Sequence, residues 1–188
     1  MEIQKTSIRG CYEIHPKIFR DDRGSFVKTF HQEVFTSHGL NTTFAEEYYS
    51  VSYKNVLRGM HFQLPPMDHT KLVYCVLGEV LDVVVDLRVG SPTYGKCQQF
   101  ELSADKANLV YIPPGLAHGF YVTSEIAIMM YKVSTVYAPD LDAGIRWDSI
   151  AFSWSNENPI ISQRDQNFQS FAEFNSPFQY SPDENDHE

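Results

Sequence analysis

Several polar residues that could carry chemistry lie close together in a part of the chain that otherwise reads as apolar strands. Arg58, His61, Gln63 and Lys71 fall within fourteen residues, and His118 follows a Pro-Pro-Gly turn further along. A neutral imidazole accepts protons near pH 7, a lysine stabilises charge on an oxygen, and an arginine binds phosphate oxygens. A single strand histidine is more often a hydrogen-bonded structural residue. Polar side chains are costly to bury unless they are used, so the grouping favours a functional site.

The histidine pattern argues against a metal centre. Many β-barrel metalloenzymes hold iron or zinc through a His-x-His pair, a Glu and a later His, and the chain has no His-x-His pair. His61 is followed by Phe62 and Gln63, while His69 lies in a Pro-rich loop. The usual three-histidine set is therefore not present, and we expect no catalytic metal.

The charge balance argues against nucleic acid as a partner. The formal net charge is −9, and no run of Lys or Arg is long enough to follow a phosphate backbone. Any phosphate that is recognised must meet individual Arg or Lys residues.

Cysteine usage and hydropathy indicate the compartment. Cys11, Cys75 and Cys97 are an odd number without a Cys-x-x-Cys pair, which argues against a disulfide framework or a thiolate metal site. The first ten residues lack the apolar core of a secretion signal, and no apolar run approaches membrane-spanning length. We therefore expect a soluble protein of the reducing cytoplasm, with no membrane partner.

Short apolar runs broken by turn signals recur from Ile3 to Trp154, which predicts an all-β fold. The clearest unit is KLVYCVL, then Gly78-Glu79, then VLDVVVDLR, which predicts two strands joined by a tight turn. In the second strand Asp82 and Asp86 share a face with valines, while the opposite face is wholly apolar. The two acids either face solvent on an edge strand or line a polar barrel interior.

The remaining pattern predicts further elements and the domain limits. Strands are expected near residues 108–112, 119–122 and 127–135, and a short helix is expected around residues 31–37. The length suits a single domain, which we expect over residues 1–180. The end, from residue 181 to 188, predicts a disordered acidic tail.

Five collinear segments resemble the dTDP-4-dehydrorhamnose 3,5-epimerase family. They are DDRGSF at 21 to 26, VLRGMHFQLPP at 56 to 66, KLVYCVLGEVLDVVVDLRVGSPTYG at 71 to 95, YIPPGLAHGFYV at 111 to 122 and MYKVSTVYAPDLDAGIRWD at 130 to 148. The resemblance implies a cupin-type jelly-roll barrel with a few short helices, catalysis without metal or redox cofactor, and a homodimer that exchanges N-terminal strands. It also implies a nucleoside-diphosphate-linked 4-keto-6-deoxy sugar as the substrate.

The resemblance carries roles onto individual residues. His61 matches the family's general base, Asp165 the aspartate that pairs with it, Tyr131 the general acid, and Lys71 the lysine near the C4 oxygen of the sugar. The positions that help to hold substrate are matched by Arg23, Phe26, Arg58, His118 and Tyr137. Gln63, from the polar group above, joins this substrate-binding set.

The chain departs from the family pattern where the nucleotide should lie. Family members commonly carry Glu two residues after the Phe of the RGxF segment, where this chain has Lys28. They commonly read Gln-x-Asn-x-Ser where this chain reads Glu-Glu-Tyr-Tyr-Ser from residue 46. The departures indicate a different base or a different sugar; the alternative is that Lys28 points to solvent and the family default of dTDP holds.

Three rival functions stay open on the sequence. A monofunctional 3- or 5-epimerase of a CDP- or GDP-linked sugar would keep the same catalytic residues. A 3,4-ketoisomerase would move the carbonyl instead of inverting a centre. A non-catalytic sugar-nucleotide-binding protein would bind without proton exchange.

The departures generate a prediction about the nucleotide. Thymine presents an N3–H that needs an acceptor, which Lys28 cannot be, whereas Lys28 with Glu46 suits cytosine or guanine and Tyr48 can stack on either base. We expect CDP or GDP to bind at least as tightly as dTDP in calorimetric titrations, and Lys28→Glu to shift the preference toward dTDP. A clear preference for dTDP that Lys28→Glu leaves unchanged would contradict this expectation.

Overall fold

The computed structural model describes residues 1–182, so the acidic stretch at 183–188 lies outside the described residues. Strands dominate, as the sequence predicts. They are β1 (Glu2–Lys5), β2 (Tyr12–His15), β3 (Ile18–Asp21), β4 (Gly24–Val27), β5 (Glu46–Tyr53), β6 (Leu57–Gln63), β7 (Lys71–Leu77), β8 (Glu79–Asp86), β9 (Cys97–Ser103), β10 (Leu109–Ile112), β11 (Leu116–Val122), β12 (Ile126–Val133) and β13 (Asp142–Gly144). The three strands expected after residue 108 are confirmed as β10, β11 and β12, with β11 beginning three residues earlier than expected.

The helices are few and short. The helix expected around residues 31–37 is α1 (Gln32–Ser37), and α2 (Gln163–Gln166) is a single turn capped by Ser162, whose hydroxyl accepts from the Asp165 N–H. Two 3₁₀ turns lie at Trp147–Ser149 and Phe171–Glu173. Within residues 1–182, no helix is long and apolar enough to cross a membrane.

Two antiparallel sheets form the barrel, with the strand orders β1-β2-β10-β7-β12-β5 and β13-β6-β11-β8-β9, and β3 and β4 form a separate hairpin. This is the cupin jelly roll that the resemblance implies. The two strands on either side of Gly78 exist as predicted, but they do not pair as a hairpin. The turn instead passes the chain from the first sheet (β7) to the second (β8). Gly78 has a φ of +78°, and a Cβ there would lie 2.0 Å from the Ile126 carbonyl oxygen.

Alternation along the strands divides the apolar side chains into three layers. The barrel interior holds Val73, Val84, Phe120 and Met129 between the two sheets. Outside the second sheet, Val83 and Val85 pack under C-terminal residues such as Phe174 and Phe178. Outside the first sheet, Leu72 and Leu109 pack under Phe35 of α1.

This layering decides where the two acids of β8 point. The wholly apolar face of β8 lies under the C-terminal segment, and the face with Asp82 and Asp86 is the inner one, where both carboxylates are 0% exposed. The solvated alternative is therefore wrong for this strand. Asp86 is neutralised by Arg88, whose guanidinium donates to both carboxylate oxygens at 2.9 Å.

A β-bulge on β6 puts Arg58 and His61 on the same face. In a regular strand, residues three apart point to opposite faces. Here His118 pairs with His61 and Phe120 pairs with Arg58, so Gly59 and Met60 together oppose the single residue Gly119. Gly59 has a φ of +140°, and a Cβ there would lie 2.5 Å from the Gly119 Cα. Only glycine fits both the backbone conformation and the close approach.

We expect Gly59→Ala to cost more stability than Gly24→Ala, which is a matched control because Gly24 has a φ of +125° and open space around its missing Cβ. In each variant the alanine is strained by the positive φ, which costs of order 1–3 kcal/mol. The Gly59 variant should lose a further ~1–3 kcal/mol from overpacking. Urea unfolding measures both losses, and equal losses would contradict the close-approach argument.

Candidate active site

A cavity of about 390 Å³ opens between the inner faces of the two sheets. Nine of the residues predicted from the sequence line it: Glu46, Tyr48, Arg58, His61, Gln63, Lys71, His118, Tyr131 and Tyr137. His61 and His118 come from the second sheet, whereas Lys71 and Tyr131 come from the first. The polar residues therefore reach the cavity from two facing walls.

His61 forms an imidazole–carboxylate pair with Asp165, as predicted. Its Nε2 lies 2.9 Å from Asp165 Oδ1, and Asp165 Oδ2 accepts from the Gly59 N–H at 3.2 Å. The His61 side chain is 29% exposed and the Asp165 side chain 5%. Because Asp165 accepts from Nε2–H, the Nδ1 of His61 is left as a bare acceptor.

The surroundings keep His61 uncharged at neutral pH. Burial lowers the pKa of His61 below its usual 6.5, and the hydrogen bond to Asp165 only partly opposes this. Burial on its own would raise the pKa of Asp165, but the hydrogen bonds from His61 and Gly59 outweigh it and lower that pKa. A neutral base beside an ionised carboxylate is the arrangement that accepts a proton most readily.

Lys71 lies on the facing wall and reaches toward His61. Its Nζ donates to the His61 carbonyl at 3.1 Å, and the residue is 7% exposed. Burial lowers the pKa of Lys71 to about 8, while Asp142 and Asp82 favour the charged form. The ammonium is thus mostly charged at pH 7 and stands where it can stabilise negative charge in the cavity.

Tyr131 lies on β12 directly opposite Tyr48 of β5, and the two rings stack with centroids 4.9 Å apart. The Tyr131 hydroxyl lies 3.5 Å from Ser50 Oγ. Burial raises the pKa of Tyr131 above its ordinary value, so the phenol keeps its proton at neutral pH. A protonated acid on one sheet therefore faces an uncharged base on the other.

A second imidazole–carboxylate pair lies deeper in the barrel. His118 Nε2 lies 2.7 Å from Asp82 Oδ2, and both residues are buried. The other oxygen, Asp82 Oδ1, is buried without a hydrogen-bond partner within the described chain. His118 is fixed in the cavity wall by this contact, and its ring meets Tyr131 edge-on at 6.2 Å between centroids.

Arg58 lies at the rim of the cavity beside β5. Its Nε donates to Ser52 Oγ at 2.9 Å and its Nη2 to the Val51 carbonyl at 3.2 Å. These contacts hold the guanidinium by two of its five donors, which leaves the others for a phosphate.

Another set of polar side chains surrounds the cavity near Tyr137. The Tyr137 N–H donates to Glu46 Oε1 at 3.0 Å, and its hydroxyl donates to Asp142 Oδ2 at 3.3 Å. Arg164 also contacts Asp142, at 2.9 Å, and its guanidinium lies over the Phe168 ring. Glu46 is therefore engaged with the backbone of a neighbouring loop.

Besides Asp165, which contacts His61, three predicted residues do not line this cavity. Arg23, Phe26 and Lys28 lie on or directly after the β3–β4 hairpin, and all three are exposed. Arg23 pairs with Asp21, and Phe26 contacts Phe19 at 6.4 Å between centroids. Within one chain, the proposed cluster of Lys28 with Glu46 and Tyr48 therefore does not form.

Sequence reasoning missed four polar lining residues, which are Ser50, His69, Asp142 and Arg164. Ser50 lies on the inner face of β5, and alternation from Tyr48 is a signal that could have found it. Arg164 precedes Asp165 in the turn α2, so its approach to the cavity follows once Asp165 is placed. His69 and Asp142 lie in or next to loops, where alternation gives no direction.

The described residues contain no group of three or more His, Cys, Asp or Glu side chains arranged to hold a metal ion. The expectation of metal-free chemistry remains a prediction, and it rests on the residue pattern at the site.

Comparison with known proteins places the chain in a family. Residues 5–173 match the family model described as dTDP-4-dehydrorhamnose 3,5-epimerase. The chain belongs to this family. A dTDP-4-dehydrorhamnose 3,5-epimerase of Shigella flexneri is 43% identical over 92% of this chain and 97% of its own length.

Two further members bear on the range of reactions in the family. The crystal structure of an epimerase of Legionella pneumophila in complex with dTDP-4-keto-L-rhamnose superposes with a TM-score of 0.91 at 34% identity, and covers 96% of this chain and 98% of its own. A dTDP-4-dehydrorhamnose 3-epimerase of Streptomyces niveus is 38% identical over 92% of this chain and 85% of its own length. Membership therefore makes this chain an epimerase, while family members differ in the number of centres they invert.

We expect Asp165→Asn to lower the pKa of His61 further. The carboxylate stabilises the imidazolium, so its removal leaves burial unopposed, and the folded-state pKa moves down. NMR titration of the His61 ring measures the change. Asp82→Asn is the control, because it removes a buried carboxylate that pairs with His118 and not with His61. A rise in the pKa of His61, or the same change in both variants, would contradict the assigned pairing.

Proposed function

We propose that this chain inverts C3 and C5 of a nucleoside-diphosphate-linked 4-keto-6-deoxy sugar, with dTDP-4-keto-6-deoxyglucose as the substrate. The observation that carries the proposal is the position of an uncharged His61 and a protonated Tyr131 on facing walls of one cavity. Family membership and the dTDP-sugar complex of the Legionella relative support the substrate class.

The first step is proton abstraction by His61. A ketone at C4 makes the hydrogens at C3 and C5 acidic, because the electron pair left by the proton delocalises onto the ketone oxygen as an enolate. His61 takes the proton at Nδ1, while Nε2–H stays bonded to Asp165. The imidazolium that forms is stabilised by the buried carboxylate, as in hydrolase triads.

Lys71 stabilises the enolate, and Tyr131 completes the inversion. The ammonium of Lys71 lies close enough to His61 to contact its carbonyl, so it can meet the ketone oxygen of a sugar held beside His61. Tyr131 then gives its proton to the carbon from the opposite face, and the new C–H bond has inverted configuration. Return of the proton by His61 would regenerate the starting sugar.

The diphosphate requires cations around this sugar site. Arg58 and Arg164 both line the cavity, and the guanidinium of Arg58 keeps donors that the protein does not use. Arg164 is partly neutralised by Asp142. Arg58 is therefore the residue that we assign to the diphosphate.

The nucleotide is the part of the substrate that the cavity residues of a single chain define least. We take dTDP because the relatives described above are dTDP-sugar enzymes. The sequence-based preference for CDP or GDP needs Lys28 at the base, and Lys28 is exposed away from the cavity of its own chain. That preference stays a prediction, and the titration of the three diphosphates decides between the two.

We also propose a homodimer in which the β3–β4 hairpin docks on a second copy. Phe19 and Phe26 of the hairpin are 51% and 63% exposed, and the outer face of edge strand β5 presents Tyr49 and Tyr53 at 65% and 68%. Apolar patches of this kind mark interaction sites. A 21.6 kDa species in sedimentation equilibrium at micromolar concentration would contradict the dimer.

Incubation of the protein with dTDP-4-keto-6-deoxyglucose in deuterium oxide tests the proposed reaction. We expect two deuterium atoms, at C3 and C5, and a product with both centres inverted. His61→Ala should lower exchange by ~10²–10⁴-fold, since a positioned base is lost. His38→Ala, at an exposed histidine outside the cavity, is the control and should leave exchange unchanged.

The same experiment separates the rivals. One deuterium atom would indicate a monofunctional epimerase, a displaced carbonyl would indicate a ketoisomerase, and binding without deuterium would indicate a non-catalytic protein. Wild-type exchange rates in His61→Ala would contradict the role of the base.

A further inference from the structure

His69 lines the same cavity, and the mechanism above gives it no task. It lies in the loop that joins β6 to β7, two residues before Lys71. Its ring belongs to a network of hydrogen bonds that fixes its orientation, and the network also shows which ring nitrogen carries hydrogen.

Gln63 and Thr135 form the rigid part of this network. Gln63 Oε1 accepts from the Ala138 N–H at 2.7 Å, which fixes the amide so that its Nε2 donates to the Met67 carbonyl at 2.7 Å. Thr135 Oγ1 donates to the same carbonyl at 2.9 Å. The hydroxyl hydrogen of Thr135 is thereby used, and its lone pairs face the histidine.

His69 Nδ1 lies 3.2 Å from Thr135 Oγ1 and 3.3 Å from Gln63 Nε2. If Nδ1 were bare, it could accept from Gln63 Nε2, but its lone pair would also face the lone pairs of Thr135, and the hydrogen on Nε2 would have no acceptor among residues 1–182. If Nδ1 carries hydrogen, it donates to Thr135, and the second hydrogen of Gln63 Nε2 is free for the Val136 carbonyl at 3.3 Å. The second arrangement gives every donor an acceptor, so it is the favoured tautomer.

This tautomer leaves Nε2 of His69 as a bare acceptor. Among residues 1–182, Nε2 has no hydrogen-bond partner. Burial and the charge of Lys71 lower the pKa of His69 to about 3, so the ring is uncharged at neutral pH. A neutral acceptor does not bind phosphate oxygens, and it matches an O–H or N–H donor of the substrate.

The position of Lys71 indicates which substrate group can donate to His69 Nε2. Lys71 donates to the His61 carbonyl, and both histidines line the same cavity as this lysine, to which the mechanism assigns the ketone oxygen. On one side of that ketone the substrate carries a ring hydroxyl, at C3, and on the other side C5 carries the methyl group. We propose that His69 Nε2 accepts a hydrogen bond from a hydroxyl of the sugar ring and so helps to select and position the substrate.

The inference rests on the proposed function, but its test does not require turnover. Long-range ¹H–¹⁵N spectra of histidine-labelled protein report which ring nitrogen is bare. The probe is dTDP-glucose, which has ring hydroxyls and no ketone, and dTDP alone is the control. We expect hydrogen on Nδ1 in the free protein, and an Nε2 resonance that dTDP-glucose shifts and dTDP does not.

Two variants at residue 69 each keep a polar group at the position of only one of the two ring nitrogens. His69→Gln places a side-chain oxygen near the position of Nε2, whereas His69→Asn places its side-chain NH₂ near Nδ1, where it can keep donating to Thr135. We expect His69→Gln to keep a near wild-type KM and His69→Asn to raise KM by about 2–10-fold with little change in kcat, as for one lost hydrogen bond.

Hydrogen on Nε2 in the free protein, or the same Nε2 shift with dTDP as with dTDP-glucose, would overturn the assignment. Equal KM values for the two variants would also overturn it. The proposed function fails separately, if the wild-type protein incorporates no deuterium from solvent.

Discussion

The hydrogen bond between His61 and Asp165 is the interaction on which the rest of the site depends. It joins a barrel strand to the single-turn helix α2, more than a hundred residues later in the chain. The carboxylate is held in turn by the Gly59 N–H, within the bulge that also turns Arg58 toward the cavity. One buried acid therefore sets the tautomer of the base and anchors the C-terminal segment over the second sheet.

The barrel tolerates its polar interior because the charges are paired across short distances. Asp86 is bonded to Arg88, and Asp82 to His118. Lys71 has no carboxylate within hydrogen-bond distance in the described chain and donates to a backbone carbonyl instead. Burial therefore lowers its pKa, and Asp142 and Asp82 oppose that effect from a distance. An incompletely compensated cation is costly for folding, and it is suited to a site where negative charge develops only during reaction.

Alternation along the strands made much of the fold and the inner-wall residues predictable. The grouping of polar residues singled out His61 and Lys71, whereas the motif resemblance supplied Tyr131, Asp165 and the role of each residue. The two strands joined by a tight turn at Gly78 were predicted correctly, but their placement in different sheets was not predicted, because a turn at glycine is compatible with a hairpin and with a passage between sheets. Local sequence does not distinguish these, since the choice depends on which distant strands, β10, β12, β9 and β11, are available to pair.

The orientation of the loop residues could not be predicted from the sequence, for a different reason. His69 contacts Thr135, which lies 66 residues away in sequence, and Asp142 contacts Arg164 of α2, beyond the strand β13. The hairpin residues Arg23, Phe26 and Lys28 were assigned to substrate binding by motif alone. In a single chain they lie outside the cavity, so any contact they make with substrate requires the second subunit that we propose.

The central claim is that base and acid act from opposite walls, and Tyr131→Phe tests it most directly. The variant keeps the ring stacked on Tyr48 and removes only the donor. In deuterium oxide, we expect inversion to fall by ~10²–10⁴-fold while deuterium still enters the starting sugar, because His61 continues to abstract and return protons. Equal loss of exchange and inversion would contradict the two-wall mechanism.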